Sequence, residues 1–209
     1  GKTELAIKLA KKWKSEIISS DARQFYKELN IGVSKPSNKE LNAVPHHFIG
    51  HISINKAYSV GQYEKDVLKK LAELFKKHNV IFVCGGSGLY IQAICDGLND
   101  FPKINNDIKI KLDDDLINKG LEHLTEELKK NDIETYNKVD KKNPRRVLRA
   151  LGVHRSSGKP YSFYTQQKKN TRDFETIHIA LTTKREVLYT RINNRVDEMI
   201  KDGLIKEAK

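Results

Sequence analysis

Apolar residues recur along this chain with two different periods. In GKTELAIKLAKKWK at 1–14 they lie three and four positions apart, which predicts an amphipathic helix with Trp13 in the core. EIIS at 16–19 and the apolar run VIFVC at 80–84 predict strands, the second fully buried, with an irregular segment at 30–58 between them. Further helices are predicted at 59–78, over GLYIQAIC at 88–95, and from about 185 to 202 with Gly203 as the C-cap. Apolar strands that alternate with helices indicate an α/β fold with a parallel sheet covered on both faces.

The middle of the chain has a different pattern. Between about 105 and 165 lysine is abundant, strong strand patterns are absent and the helical segments are short. A strand pattern then returns in TIHIALTT at 176–183. A helical block between two strands of one sheet indicates an insertion. We therefore expect an α/β core at 1–104 and 171–209, with a helical insertion at 105–170.

Composition narrows the class of protein. The 209 residues, 38% of them hydrophobic, suffice for one large domain with an insertion, and no stretch resembles a membrane span or a secretory signal peptide. Cys84 and Cys95 lie in predicted core elements, which favours free thiols and a cytoplasmic location. Lys and Arg number 39 against 27 Asp and Glu, and the formal charge of +12 favours a polyanionic partner. The charge alone is also compatible with a solvated surface that binds no polyanion.

The chain opens on GKT, directly before the first predicted helix. These are the last three residues of the P-loop pattern G-x-x-x-x-G-K-[ST], in which helix N-terminal amides and the lysine hold phosphate and the hydroxyl contacts Mg²⁺. Gly1, Lys2 and Thr3 are therefore candidate phosphate ligands. The first strand and the start of the P-loop are missing, so we expect the chain to be a fragment. A second cluster, GGSGLY at 85–90, fits either close approach of a ligand or a plain strand–helix turn.

Asp21 is a single carboxylate placed where the strand at 16–19 breaks into the polar stretch SSDARQFY. A carboxylate in this position could hold Mg²⁺, take a proton from a substrate or cap the following turn. The residues alone leave all three roles open.

Six motifs occur in an order that resembles a known family. They are GKT, SSDARQFYKELNIGVSKP, VPHHFIGHISINKAYSVGQYEKD, VCGGSGLY, NPRRVLRALGVHRSSGKP and LYTRINNRVDEMIKDGLIKEAK. Over essentially the whole chain they resemble the tRNA dimethylallyltransferases, or tRNA adenosine isopentenyltransferases. The resemblance implies a P-loop NTPase-like α/β fold and transfer of a dimethylallyl group from dimethylallyl diphosphate to N6 of adenosine 37 in tRNA. It also implies that the helical insertion at 105–170 binds tRNA, that the protein contacts the anticodon stem-loop and that Mg²⁺ is the cofactor. We also expect a cytoplasmic monomer.

The resemblance implies a role for each matching side chain. Asp21 is the expected general base, because an exocyclic amine conjugated with a purine ring is a poor nucleophile until it loses a proton. Ser87 stands where the family has threonine and is the second expected catalytic residue, with its hydroxyl on the adenosine or nearby tRNA. The residues expected on the diphosphate are Gly1, Lys2, Thr3 and Arg195, with Thr3 also on Mg²⁺. Arg191, one turn from Arg195, is the weaker candidate.

The residues expected to contact tRNA lie mainly in two segments. One is the turn after the first strand, where Ala22 replaces the family's serine and Gln24 is expected to read neighbouring bases. The other is a helix capped by Asn143 and Pro144, whose arginines form a basic ridge. The full set is Asp21, Ala22, Arg23, Gln24, Ser87, Arg145, Arg146, Val147, Leu148 and Arg149. From the residues alone, the arginines could instead pair with acidic neighbours.

Three further patterns have simpler explanations. LDDDL at 112–116 resembles an aspartate-rich magnesium motif, but a helix would spread its carboxylates over roughly 200°, which indicates a solvated face. His46 and His47 have no cysteine partners, so we expect them to order their loop rather than bind zinc. The aromatic residues of PYSFY at 160–164 could stack on bases or anchor the insertion.

Two other functions remain open from the residues. A P-loop small-molecule kinase would share the phosphate cradle and use the insertion as a lid, but it requires a magnesium aspartate after a buried strand, and VIFVCGG ends without one. A non-catalytic RNA-binding module would explain the basic helix but not Asp21.

Overall fold

A computed structural model of the protein describes every residue except 167–170. The chain forms two compact units, one made of Gly1–Gly97 with Thr171–Lys209 and the other of Leu98–Asn170. The insertion predicted at 105–170 falls within the second unit, which begins a few residues earlier in the chain. The last four positions of that predicted insertion lie outside the described residues.

Strands and helices alternate in the first unit, whereas the second unit is helical. In chain order the elements are α1 (Lys2–Lys12), β1 (Ile17–Ser19), α2 (Asn38–Ala43), β2 (His46–His47), α3 (Val60–Leu74), β3 (Phe82–Cys84), α4 (Gly88–Cys95), α5 (Asn106–Asn131), α6 (Ile133–Lys138), α7 (Pro144–Ser157), α8 (Tyr161–Thr165), α9 (Arg185–Lys201) and α10 (Leu204–Ala208). The strands pair in the order β2–β1–β3, and both pairings are parallel. Ile17 of β1 lies opposite His46 on one side and Phe82 on the other.

Neighbouring residues of β1 define the two layers around the sheet. Successive side chains of a strand point to opposite faces. Ile17 therefore packs on one side with Ala10 of α1, and Ile18 packs on the other with Tyr63 of α3 and Ile94 of α4. Helices thus cover both faces of a parallel sheet, and the predicted α/β fold class is confirmed.

The segment that returns from the second unit is anchored to the first by two side chains. Arg172 donates from Nε to the carbonyl of Ile94 at 2.9 Å and pairs with Glu64 at 2.5 Å. Phe174 stacks on Phe75, with ring centroids 5.8 Å apart. Because all of these partners belong to the first unit, the chain after residue 170 is part of the α/β core.

Several local predictions were wrong. Trp13 is 58% exposed because α1 ends at Lys12 and the buried stripe of the helix does not extend to it. The strand at 80–84 is shorter than predicted and not fully buried, since Val83 is 40% exposed. The segment at 30–58 is not irregular throughout, because it contains α2 and β2.

The strand predicted at 176–183 does not form. Ile177 is 90% exposed and Ile179 65% exposed, and the segment pairs with none of the described strands. An alternating apolar pattern indicates a suitable strand, but a strand exists only where a neighbour supplies backbone hydrogen bonds. This segment lacks that neighbour.

The second unit is built around the contact between α5 and α7. α5 bends at Gly120, whose φ of 79° and ψ of 168° divide it into two helical stretches. Leu124 and Leu128 of α5 pack against Val147 and Leu151 of α7, and each of these four side chains is fully buried. Burying such side chains typically contributes about 1.5–3 kcal/mol each, which accounts for a helical unit that needs no strand.

An ion-pair cluster explains part of the aspartate-rich segment of α5. Arg155 binds Glu127 through two parallel hydrogen bonds of 2.9 and 2.6 Å, and it binds Asp115 at 2.8 Å. Asp113 and Asp114 are exposed. The predicted solvated helix face is therefore confirmed for Asp113 and Asp114, whereas Asp115 is half-buried in an ion pair with Arg155. Among the described residues, no helix is both long and apolar enough to cross a membrane.

Candidate active site

The ends of β1 and β3 meet at one edge of the sheet with their backbones in direct contact. The N–H of Ser20 donates to the carbonyl of Cys84 at 2.8 Å, and the N–H of Ser87 donates to the carbonyl of Ser20 at 3.2 Å. A Cβ on Gly85 would lie only 2.0 Å from the Ser20 carbonyl oxygen. The first glycine of GGSGLY is therefore required by close backbone approach.

Asp21 follows this contact and uses one of its two carboxylate oxygens within the turn. The N–H of Arg23 donates to Oδ1 at 3.1 Å, and the N–H of Gln24 donates to the Asp21 carbonyl at 3.0 Å. Oδ2 lies 3.8 Å from the point where a Cβ on Gly86 would be. No hydrogen bond from the described residues reaches Oδ2. One oxygen of the Asp21 side chain thus caps the turn. The other oxygen lies near Gly86, which has no side chain.

Ser87 lies next to Asp21 and is bonded to the same turn. Its Oγ accepts the backbone N–H of Ala22 at 3.0 Å, and Ser87 is the N-cap of α4. The Ser87 hydroxyl proton remains able to donate, because an acceptor bond uses only a lone pair of the oxygen. The two predicted catalytic residues, Asp21 and Ser87, are therefore brought together.

The thiol of Cys84 connects this turn to the start of α1. Burial raises the pKa of the Cys84 thiol, while the positive charge of Lys2 and a hydrogen bond with Thr3 lower it and the negative charge of Asp21 raises it. The pKa of a thiol responds to charged and hydrogen-bonding groups only when they lie near it. Lys2, Thr3 and Asp21 therefore all lie near the Cys84 thiol, and Gly1 is exposed at the N-cap of α1.

The amide of Gln24 is already engaged in hydrogen bonds. Its Oε1 accepts the Ser19 hydroxyl at 3.2 Å, and its Nε2 donates to the carbonyls of Val33 and Ser34 at 3.2 and 3.0 Å. In this arrangement Gln24 holds a loop instead of presenting its amide to solvent. Arg23 is the exposed side chain of this turn, whereas Ala22 packs against the core.

A tyrosine that the sequence patterns did not single out supports the same turn. The buried Tyr63 hydroxyl donates to the Ser19 carbonyl at 2.9 Å, and its ring stacks on Phe25 with centroids 4.9 Å apart. Burial raises the pKa of Tyr63, so the hydroxyl keeps its proton and stays a donor. A buried polar-tipped residue within an apolar helix stripe is the signal that could have identified it.

The arginine side chains of the predicted basic ridge on α7 are exposed to solvent. Arg145 and Arg146 are exposed and form no ion pair with the described residues, while Arg149 lies over the Phe101 ring at 5.3 Å from its centroid. Val147 has no exposed surface and Leu148 packs against the core of the second unit. The side chain of Val147 therefore does not belong to the predicted tRNA-contacting surface, which the arginines form.

Comparison with known proteins identifies the family. A protein-family model described as IPP transferase matches residues 24–209. A tRNA dimethylallyltransferase of Christiangramia forsetii is 51% identical over all of this chain, which spans 69% of that protein. The chain belongs to the IPP transferase family. A tRNA dimethylallyltransferase of Cytophaga hutchinsonii is 44% identical over the same 209 residues, again 69% of that protein.

Two solved structures are similar to this IPP transferase chain. The tRNA isopentenylpyrophosphate transferase of Bacillus halodurans has a TM-score of 0.62 and 33% identity, over 100% of this chain and 65% of that one. A eukaryotic dimethylallyltransferase acting on tRNA has a TM-score of 0.84 and 28% identity, over 99% of this chain and 52% of that one. The family and the P-loop-like fold class predicted from the sequence are confirmed.

Among the described residues, one predicted site residue, Arg195, forms no bond with the rest of the site. Arg195 lies on α9, which has no buried residue along its length. No hydrogen bond or ion pair among the described residues links Arg195 to Lys2, Thr3 or Asp21. The assignment of Arg195 to the diphosphate therefore rests on the motif and stays a prediction.

The adjacent histidines of the IPP transferase chain order their loop as predicted. His46 donates from Nδ1 to the Val44 carbonyl at 2.7 Å, and His47 donates from Nε2 to Glu16 at 2.6 Å. His78 contacts the other oxygen of Glu16 at 3.2 Å. Among the described residues, no group of three or more His, Cys, Asp or Glu side chains could hold a metal ion.

Proposed function

We propose that this chain transfers a dimethylallyl group from dimethylallyl diphosphate to N6 of adenosine 37 in the anticodon loop of tRNA. Its family membership confirms the coarser prediction of a transferase that modifies tRNA with a prenyl group. The observation that carries the finer assignment is the unshared Oδ2 of Asp21, located at the same sheet edge as Lys2 and Thr3. A carboxylate beside an anion-binding helix start fits a reaction that releases diphosphate while a base accepts a proton.

The start of α1 would bind the diphosphate. The first amides of a helix have no partner within the helix and attract anions, and the Lys2 ammonium adds a positive charge. Thr3 supplies a hydroxyl oxygen, which suits Mg²⁺ because this ion takes few protein ligands and completes its shell with water and phosphate oxygens. Bound there, Mg²⁺ would neutralise charge on the leaving diphosphate.

Asp21 would act on the adenosine. As the new bond forms between N6 and the allylic carbon, the bond between that carbon and the diphosphate oxygen breaks, and its electron pair leaves with the diphosphate. The proton released by N6 passes to Oδ2 of Asp21, because Oδ1 is engaged by the Arg23 N–H. Ser87 can donate its hydroxyl proton to a ring nitrogen of the same base while its oxygen holds the Ala22 N–H.

Arg145 and Arg146 would supply phosphate contacts to the tRNA. They are exposed and form no ion pair with the described residues, so both guanidinium groups can bind phosphate. We also propose that the enzyme acts as a cytoplasmic monomer.

An assay with two alternative labelled donors tests the proposed reaction. Unmodified tRNA is incubated with either labelled dimethylallyl diphosphate or γ-labelled ATP and Mg²⁺. Label from the first donor in tRNA, located by nuclease digestion at N6 of adenosine 37, supports the proposal. Label passing only from ATP to a small acceptor would establish the P-loop kinase instead.

Asp21→Asn tests the proton acceptor. The amide oxygen can still accept the Arg23 N–H, so the turn is kept, but the amide nitrogen cannot take a proton. We expect kcat to fall by about 10²–10⁴-fold, while tRNA and dimethylallyl diphosphate still bind. Asp113→Asn, on the exposed face of α5, is the matched control. Unchanged turnover in Asp21→Asn would remove Asp21 as the base.

A further inference from the structure

Glu207, on the short helix α10, binds a loop that is far away in the sequence. Its Oε2 accepts the backbone N–H groups of Asn30 at 3.0 Å and Ile31 at 2.8 Å, and its Oε1 accepts that of Gly32 at 2.9 Å. Three consecutive N–H groups that converge on one anion form a backbone nest. Leu204 of α10 lies beside the same loop, because a Cβ on Gly32 would be 3.1 Å from its Cδ1.

The contact is both specific and charged. The N–H groups of Ile31 and Gly32 lower the pKa of Glu207, so the side chain stays a carboxylate at neutral pH. A carboxylate has acceptor sites for all three donors, whereas an amide would present a donor nitrogen to at least one of them. The Lys35 ammonium reinforces the loop from within, donating to the Tyr26 carbonyl at 2.6 Å and to Oδ1 of Asn30 at 3.0 Å.

The same loop is held on its other side by the turn that carries Asp21. Gln24 donates from Nε2 to the carbonyls of Val33 and Ser34, directly after the three residues bound by Glu207. The backbone N–H of Gln24 donates to the Asp21 carbonyl at 3.0 Å. A continuous series of hydrogen bonds therefore runs from Glu207 through the loop at 30–34 to Gln24 and Asp21.

We propose that Glu207 is a positioning residue for prenyl transfer: it fixes the loop at 30–34, the loop fixes Gln24, and Gln24 fixes the turn that aims Asp21. This inference rests on the proposed function of Asp21. Glu207 acts through other residues and touches no reacting atom. A change at Glu207 should therefore alter the rate of the chemical step, because general-base catalysis depends on the distance between the base and the proton that it takes.

The test compares Glu207→Gln with Glu186→Gln, an exposed change at the start of α9, in the full chain. Prenyl transfer is measured with each substrate varied in turn, and amide hydrogen exchange is followed in the peptide containing residues 30–34. We expect Glu207→Gln to lower kcat by about 10-fold to 10²-fold and to speed exchange in that peptide. The KM for dimethylallyl diphosphate should stay within about twofold of wild type, because the diphosphate ligands are untouched.

A double-mutant cycle separates positioning from general loss of structure. Glu207→Gln and Gln24→Ala should have strongly non-additive effects on kcat, since both act through one loop. Additive effects, or a Glu207→Gln kcat equal to that of Glu186→Gln, would overturn the inference. If Glu207→Gln fails to fold, Glu207→Asp replaces it in the cycle, keeping the charge but withdrawing the carboxylate by one methylene. A wild-type enzyme without prenyl transfer would instead refute the proposed function.

Discussion

Replacing Gly85 by alanine tests whether the sheet edge holds Asp21 in place. The new Cβ would lie 2.0 Å from the carbonyl oxygen of Ser20 and 2.2 Å from its carbonyl carbon. Both atoms belong to the backbone immediately before Asp21, so no side chain can move aside. Real Cβ atoms essentially never lie within 3.0 Å of another atom. The distance of 2.0 Å must therefore grow to at least 3.0 Å, which separates the two backbones by at least 1.0 Å.

The cost follows from what that separation breaks. The hydrogen bond from the Ser20 N–H to the Cys84 carbonyl, now 2.8 Å, would be lost at about 1 kcal/mol, and overpacking adds a further ~1–3 kcal/mol. We therefore expect the free energy of unfolding to fall by about 3 kcal/mol. Asp21 moves with Ser20, and if Asp21 is the proposed general base, a displacement of this size lowers kcat by about 10²-fold.

Urea unfolding and steady-state prenyl transfer check the two effects, with Gly88→Ala as the matched control. A Cβ on Gly88 would meet no atom within 4 Å, so this change is expected to be neutral or to stabilise α4 by about 0.5–1 kcal/mol. A Gly85→Ala protein with the wild-type unfolding midpoint and kcat would refute the close approach of β1 and β3. Loss of stability with normal kcat would show that Asp21 is positioned independently of this contact.

Two further predictions concern the basic helix and the acid response of the fold. Replacing Arg145 and Arg146 together by glutamate should raise the KM for tRNA. It should also reduce the slope of log KM against log salt by roughly two, because about one phosphate contact is lost with each arginine. An unchanged salt slope would contradict phosphate contact. Although burial alone would raise the pKa of Glu16, hydrogen bonds from His47 and His78 lower it below its ordinary value of 4.5. The stability contributed by Glu16 is therefore complete above about pH 4.5 and is lost as pH falls through the lower pKa of the folded state. In urea unfolding, the free energy of unfolding of wild type should fall more between about pH 6 and pH 3.5 than that of Glu16→Gln. An equal loss in both proteins would contradict this assignment.

Features that depend on short-range chemistry were predictable from the sequence. The helix over 88–95 was predicted with its observed bounds, because a glycine-rich turn precedes it and an apolar stretch forms it. The proximity of Asp21 and Ser87 follows from the parallel pairing of two strands, since the carboxyl ends of parallel strands meet at the same edge. Motif order was sufficient for the family, because the motifs extend over nearly the whole chain.

Features that depend on which face is buried were not predictable. Val147 lies within a basic motif, yet the packing of α7 on α5 places its side chain in the core. Gln24 was expected to face a substrate, but its amide is taken by carbonyls nine and ten residues further along. Local pattern does not specify the partner of a polar side chain, and the partner decides what that side chain can do.

The sequence by itself determined the α/β class, the family, the GKT motif at the start of α1 and the presence of one carboxylate after β1, because each of these depends on local periodicity or on a motif. Only the tertiary structure decided that one oxygen of Asp21 is used by its own turn, that Gly85 must lack a side chain and that Glu207 holds the loop at 30–34. These are contacts between residues remote in sequence or between neighbours whose orientation is set by packing. Their energies depend on distances that only the folded chain defines.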